Sequence, residues 1–156
     1  MTSYVLQVGD AGRYQSVRRS CDEAGLANPV SRCRNLDETH RLLGLHSQVQ
    51  LGAPLARPAV IVVDLRLSDG SGLDLLREVR SHLGLRRTPV VVVGDDATDE
   101  EITEVHRWGQ AAYLSAAMMA WTLLDVVRDM HLPWSLEAAG PTGAVSTVVD
   151  AVGAAS

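Results

Sequence analysis

Residues 60 to 72 read VIVVDLRLSDGSG, four β-branched residues before a carboxylate at Asp64, then a turn rich in Ser and Gly. With Ala59 the run is apolar at every position, and a strand loses its in–out alternation when both of its faces are covered, as in a parallel sheet. Placing a carboxylate at the tip of such a strand costs desolvation unless something compensates the charge. What Asp64 does there is the question the rest of the chain has to answer.

Downstream, the Gly70 to Gly72 turn leads into Leu73, Leu76, Val79 and Leu83 at helical spacing. Pro89 to Val93 (PVVVV) predicts a second fully buried strand. Asp99 to Trp108 predicts a helix whose acidic start suits the helix dipole. Ala111 to Leu114 is a short strand, and Met118 to Met130 a last helix stopped by Leu132-Pro133. Upstream, Tyr4 to Val8 (YVLQV) is a strand ending in Gly9-Asp10. Tyr14, Val17, Cys21 and Ala24 then form a helical stripe closed by Gly25. Pro29 to Cys33 is a weaker strand, Leu36 to Leu45 a second helix, and His46 to Pro58 a polar connection. Five strands alternating with five helices imply an α/β, doubly wound, five-stranded parallel sheet with helices on both faces and right-handed crossovers. Ligands of such sheets sit beyond the carboxyl ends of the strands, so the residues that matter are Gly9-Asp10, Asp64, Gly94-Asp95-Asp96 and Ser115-Ala116.

At 156 residues the chain fits one core of about 100 to 150 residues plus a tail, with a domain expected over 1–134 and a tail over 135–156. Val145, Val148, Val149 and Val152 would put one apolar face on a short docked helix in that tail. Apolar residues make up 46% and charged residues 21%, and no apolar run approaches the roughly 18 residues of a membrane span. No secretory leader opens the sequence, so the expected location is the cytoplasm. A net charge of -5 gives no basic footprint for a nucleic acid. Cys21 and Cys33 match neither a disulfide framework nor a zinc spacing and read as free thiols. All fourteen basic residues are Arg.

With a strand order of 2-1-3-4-5, Asp10 and Asp64 face each other across the crevice. Paired carboxylates repel unless a proton or cation intervenes, and Mg²⁺ suits one or two carboxylates with waters and a phosphate. A carboxylate is also a nucleophile able to accept a phosphoryl group as an acyl phosphate. The plainer reading of either acid is a turn or helix-capping residue. SDGSG at 68 to 72 lacks the Gly and Lys spacing of a P-loop and reads as the turn and N-cap of the third helix. The five scattered His residues read as surface residues, and EEITEVHR as a solvated helix start.

VGD at 8 to 10, VVDLRLSDGSGLDLL at 62 to 76 and PVVVVG at 89 to 94 resemble the receiver domain of two-component response regulators over about residues 3 to 132. The long connection before the third strand and LRRTPVVVV make the chain most similar to stand-alone regulators associated with phytochrome kinases. The resemblance implies that Asp64 is the phosphoacceptor and that Asp10, Asp64 and the backbone carbonyl of Arg66 are Mg²⁺ ligands. Tyr113 matches the family's aromatic whose rotation is coupled to activation.

Three positions depart from the family. Its first acid is Gly9 here, its phosphoryl-binding Ser or Thr is Gly94, and its Lys-Pro after the fifth strand is Ala116-Ala117. Without any lysine, only an arginine can replace the missing cation, and Arg13 and Arg66 are the candidates by position. A charged hydrogen bond contributes about 1.5 to 3 kcal/mol, so this loss weakens phosphoryl stabilisation by about 10- to 100-fold. Asp95 and Asp96 would add repulsion if they point inward. The expectation is a response-regulator-like signalling protein with a degenerate acidic pocket and at best a weak Mg²⁺ site. It would act through protein contacts, with weak or no phosphorylation. The alternative is a working receiver phosphorylated on Asp64 by a sensor histidine kinase. Trp108, Met118, Met119, Trp121 and Trp134 are the candidate interface. Expected partners are a sensor histidine kinase or another signalling protein and a second copy of the chain, without nucleic acid or membrane. An aspartyl-phosphate enzyme of the haloacid-dehalogenase type needs an acid two residues after the nucleophile. That position is Arg66, so no enzyme is expected.

Overall fold

The computed structural model describes residues 4–45 and 57–117 together with Leu123 and Asp125. Strand β1 (Tyr4–Val8) is followed by helix α1 (Ala11–Glu23), β2 (Val30–Cys33) and α2 (Leu36–Leu43). Then come β3 (Pro58–Asp64), the two-residue strands β4 (Arg66–Leu67) and β5 (Gly70–Ser71), α3 (Gly72–Ser81), β6 (Val90–Gly94), α4 (Asp99–Arg107) and β7 (Ala111–Ser115). The main sheet runs β2-β1-β3-β6-β7, all parallel, and this is the expected 2-1-3-4-5 order once the small β4–β5 hairpin is set aside. The fifth helix and the tail fall outside the described residues, except that Leu123 and Asp125 are helical.

Alternation along the strands splits the core into two layers. Leu6, Val8, Ile61, Val63, Val90 and Val92 pack with Leu36, Leu73, Leu76, Val79 and Val105 on the face covered by α2, α3 and α4. Val5, Val60, Val62, Val91 and Val93 pack with Val17, Cys21 and Leu123 on the other face. Every residue of β3 is buried. Each Val or Ile so placed contributes roughly 1.5 to 3 kcal/mol, which is why this strand anchors the sheet.

The helix starts are capped from the sequence. Asp10, Asn35, Ser71 and Thr98 are the N-caps of α1, α2, α3 and α4, with capping boxes completed by Asp74 and Glu101. Ser71 confirms the expected cap of the third helix. Asp69, in the turn between β4 and β5, reaches across to accept the N–H groups of Leu36 at 2.9 Å and Asp37 at 3.0 Å, a second cap on α2. At the opposite edge, the Arg80 guanidinium donates to the carbonyls of Thr88, Gly109 and Gln110. It thereby ties α3 to the turn before β7, and burial lowers its pKa to about 10, still charged at neutral pH.

Several expectations need correction. Leu83 was placed on the buried stripe of the third helix, but α3 ends at Ser81 and Leu83 is 68% exposed. His82, expected at the surface, is buried and accepts the Gly84 N–H through Nδ1. His40 pairs with Glu78 across α2 and α3. The acidic start of α4 is not simply solvated, since Glu101 is tied to Arg66 and Glu104 to Arg77. Both cysteines are free, as expected, and buried, and burial raises the Cys21 thiol to about 11. Gln7, inside the YVLQV run, is fully buried, and neither amide atom has a hydrogen-bond partner among the described residues.

Replacing Gln7 by Met, of similar length, removes that desolvated amide. We expect a stability gain of about 1 kcal/mol or more in urea denaturation, and a loss would mean the amide is satisfied. Asp69→Ala removes the second cap of α2 and should cost about 1 kcal/mol at neutral pH. Burial raises the Asp69 carboxyl, but the two helix N–H groups outweigh it and hold the pKa below its ordinary value. Its contribution is therefore present above about pH 4 and disappears as pH falls through the lowered value. Denaturation as a function of pH should show the wild-type and Asp69→Ala curves converging in acid.

Candidate functional site

The β1 and β3 registers pair Val8 with Val63, so Gly9 lies beside Asp64 at the carboxyl edge. Asp64 follows Val60 and Val62 in alternation, which points its side chain to the α1 side of the sheet. It is 6% exposed. Both of its oxygens are engaged. Oδ1 receives the Arg13 Nε–H at 2.5 Å, and Oδ2 receives the Asp10 backbone N–H at 2.9 Å. Arg13 stands one turn into α1 with its side chain 20% exposed. Arg13, one of the two arginines named by position, thus neutralises a carboxylate that would otherwise be a costly buried charge, so Asp64 is not left without a cation as the loss of the family's lysine had implied.

Gly9 makes this arrangement possible. Its φ is +129°, and a Cβ built there would lie 2.3 Å from Asp64 Oδ2 and 2.4 Å from its Cγ. No L side chain fits that conformation or that space. The position where the family carries its first acid is therefore filled by the carboxylate of Asp64 itself. Gly72 is needed for a similar reason, since a Cβ on it would come within 2.7 Å of the Asp64 carbonyl where α3 begins.

Asp10 is beside Asp64, as expected, but through its backbone. Its own carboxylate accepts the Arg13 N–H at 3.1 Å and serves as the N-cap of α1. Arg13 is thus gripped at both ends, backbone to Asp10 and side chain to Asp64. Arg66, the other candidate for the missing cation, is directed away. Its guanidinium forks onto Glu101 at 2.7 and 2.9 Å, with Asp96 Oδ1 at 3.4 Å. That bond holds the Glu101 carboxyl down at about 2. The Arg66 backbone belongs to the β4–β5 hairpin, paired with Ser71. Asp95 and Asp96 are both exposed, and Asp96 is occupied by Arg66 rather than turned onto Asp64.

Around the fourth strand tip, Gly94 offers only its carbonyl, which accepts the Tyr113 hydroxyl at 2.6 Å and the Ala116 N–H at 3.1 Å. Tyr113 is half-buried against the core layer covered by α2, α3 and α4, and burial pushes its phenol up. Ala116 packs on the other core layer, with Val91, Val93 and Leu114. Trp108 caps α4 at its C-terminus, 39% exposed, with Nε1–H donating to Glu104. Met118, Met119, Trp121 and Trp134 lie outside the described residues. No group of three or more His, Cys, Asp or Glu side chains converges on a metal site among the described residues.

Three contributors escaped the sequence reading. Arg32 on β2 grips the Gly9 carbonyl, Asp69 caps α2, and Arg77 joins α3 to Glu104. Each is an exposed polar residue, Arg32 and Arg77 in segments read for their apolar positions and Asp69 in a turn read as the cap of the third helix, and nothing in its neighbours' identity names its partner.

No family model matches the chain. The sensory/regulatory protein RpfC of Xanthomonas campestris pv. campestris (strain 8004) is 31% identical over 123 residues, 76% of this chain and 17% of that protein. The matched segment is therefore a small part of that relative's length. Among solved structures, the bacteriophytochrome response regulator RtBRR superposes with a TM-score of 0.69 at 22% identity, covering 99% of this chain and 93% of that one. The chemotaxis response regulator CheY4 of Vibrio cholerae gives 0.65 at 20% identity over 83% and 99%. No helix among the described residues is long and apolar enough to cross a membrane.

Arg13→Ala and Asp64→Asn, separately and together, form a double-mutant cycle. We expect a coupling of roughly 1 to 3 kcal/mol by denaturation, little reduced by salt because both groups are largely buried. A coupling near zero would show that the pair is not formed in solution.

Proposed function

With the response-regulator receiver fold as the premise, we propose that this chain is a signalling protein that works by protein–protein contact, with weak or no phosphorylation of Asp64. The observation that carries this reading is the double occupation of the Asp64 carboxylate by Arg13 Nε–H and the Asp10 N–H. Phosphoryl transfer needs a free carboxylate oxygen as nucleophile. Releasing Arg13 first costs roughly 1.5 to 3 kcal/mol, a 10- to 100-fold penalty on rate.

Mg²⁺ fits the site poorly. Asp64 already has its cation, Asp10 spends its carboxylate on α1, and a third acid at position 9 is sterically excluded. Mg²⁺ binding is accordingly weak in this proposal, and neither the Asp10 side chain nor the Arg66 carbonyl takes up the metal until Arg13 has moved. The proposed working surface includes α4 and β7, with Trp108 exposed at the C-terminal end of α4 and Asp99 and Glu100 in its first turn. Its partner is a sensor histidine kinase or another signalling protein, with a second copy of this chain as the homodimer partner. The net charge of -5 argues against nucleic acid. The proposed setting is the cytoplasm, and the proposed role is not enzymatic.

Incubation with acetyl phosphate and Mg²⁺, followed by intact-mass measurement, tests the reading. Wild type should take up a phosphoryl group on only a minor fraction of molecules and Asp64→Asn on none. Arg13→Ala, with the carboxylate released, should label about 10- to 100-fold faster. Stoichiometric labelling of wild type that Asp64→Asn abolishes would establish the working phosphoacceptor instead.

A further inference from the structure

We propose that Arg32, on strand β2, is a positioning residue for the Asp64 pocket and acts through the Gly9 carbonyl. The inference rests on the reading that Asp64 is held by Arg13 and the Asp10 N–H. Arg32 is exposed, and its guanidinium donates to the Gly9 carbonyl through both Nε, at 3.0 Å, and Nη2, at 2.8 Å. The Gly9 N–H is held in turn by the Cys33 carbonyl at 2.9 Å.

The physical link is the planarity of the peptide that joins Gly9 to Asp10. In a trans peptide the C=O and the N–H point in opposite directions, so fixing one fixes the other. By drawing the Gly9 carbonyl outward toward β2, Arg32 aims the Asp10 N–H inward at Asp64 Oδ2, 2.9 Å away. A cation on the carbonyl also polarises the amide and strengthens its N–H as a donor. The clamp is needed at this position because Gly9, at φ +129°, has no side chain to restrict its rotation. The fork of an arginine suits a carbonyl gripped from two nitrogens, which an ammonium cannot reproduce. Arg32 thus couples an exposed residue on the edge strand of the sheet to the buried carboxylate, without touching that carboxylate.

Amide hydrogen exchange and the Arg13 Nε–H resonance, followed by NMR on the full chain without phosphodonor, test the assignment. In Arg32→Ala the Asp10 amide should exchange about 10-fold faster and the Arg13 Nε–H signal should broaden, while the Leu6 amide in the middle of β1 is unchanged. Arg32→Lys should recover part of the protection. Asp64→Asn supplies the spectrum of an opened pocket, and Arg32→Met is the substitute should the alanine variant not fold. Asp10 exchange accelerating no more than that of Leu6 would overturn the proposal, because Arg32 would then serve the sheet generally. Since no phosphodonor is present, a failure here is separate from the phosphorylation test, which reads covalent mass alone.

Discussion

A carboxylate with 6% of its surface exposed cannot stand alone on a sheet face, and Arg13 is what lets Asp64 stay there. Removing a charge from water costs several kcal/mol unless opposite charge and hydrogen bonds replace the lost hydration. The guanidinium of Arg13 and the N–H of Asp10 supply both from the first residues of α1 and the peptide before it. That requirement sets the geometry at the carboxyl edge. α1 must begin where Asp10 caps it, Gly9 must lack a side chain, and β1 and β3 must be neighbours in register.

The same physics explains why an all-arginine chain suits this structure. Arg32 forks onto one carbonyl, Arg66 and Arg77 fork onto the carboxylates of Glu101 and Glu104, and Arg80 spans three carbonyls. A planar guanidinium with five donors serves such multi-point contacts, whereas an ammonium acts as a point charge. Exposed pairs such as Arg77–Glu104 contribute little individually, but Arg66 and Arg77 together join α4 to the hairpin and to α3. The β6–α4 edge, acidic in sequence, is therefore partly neutralised where it meets the body of the domain.

Legibility varied with how each element is stabilised. β3 and β6 were readable because strands covered on both faces are unbroken Val and Ile runs. The β4–β5 hairpin was not, since two-residue strands carry no periodicity. Leu83 fitted the helical spacing, yet α3 stops at Ser81 and the side chain turns to solvent. His82 was assigned to the surface from its residue type, but its burial is imposed by what packs over it. At the site, Asp10 and Asp64 were found together as expected, and Arg13 was named only as one of two arginines near enough in sequence.

The sequence by itself determined the alternation of strands and helices, the parallel sheet and the placing of Gly9, Asp10, Asp64 and Gly94 at the carboxyl edge of its strands, while the strand order that makes β1 and β3 neighbours was assumed there and is set by the tertiary structure. Those follow from hydrophobic pattern and from the handedness of crossovers, which are local or topological rules. Tertiary structure alone decided that Arg13 rather than Arg66 meets Asp64, that Asp10 contributes an N–H in place of its carboxylate, and that Arg32 holds the Gly9 peptide. These choices depend on side-chain direction and on ångström-scale space, such as the volume that Asp64 takes from a Cβ at position 9. No pattern of residue types encodes that space before the strands are set side by side.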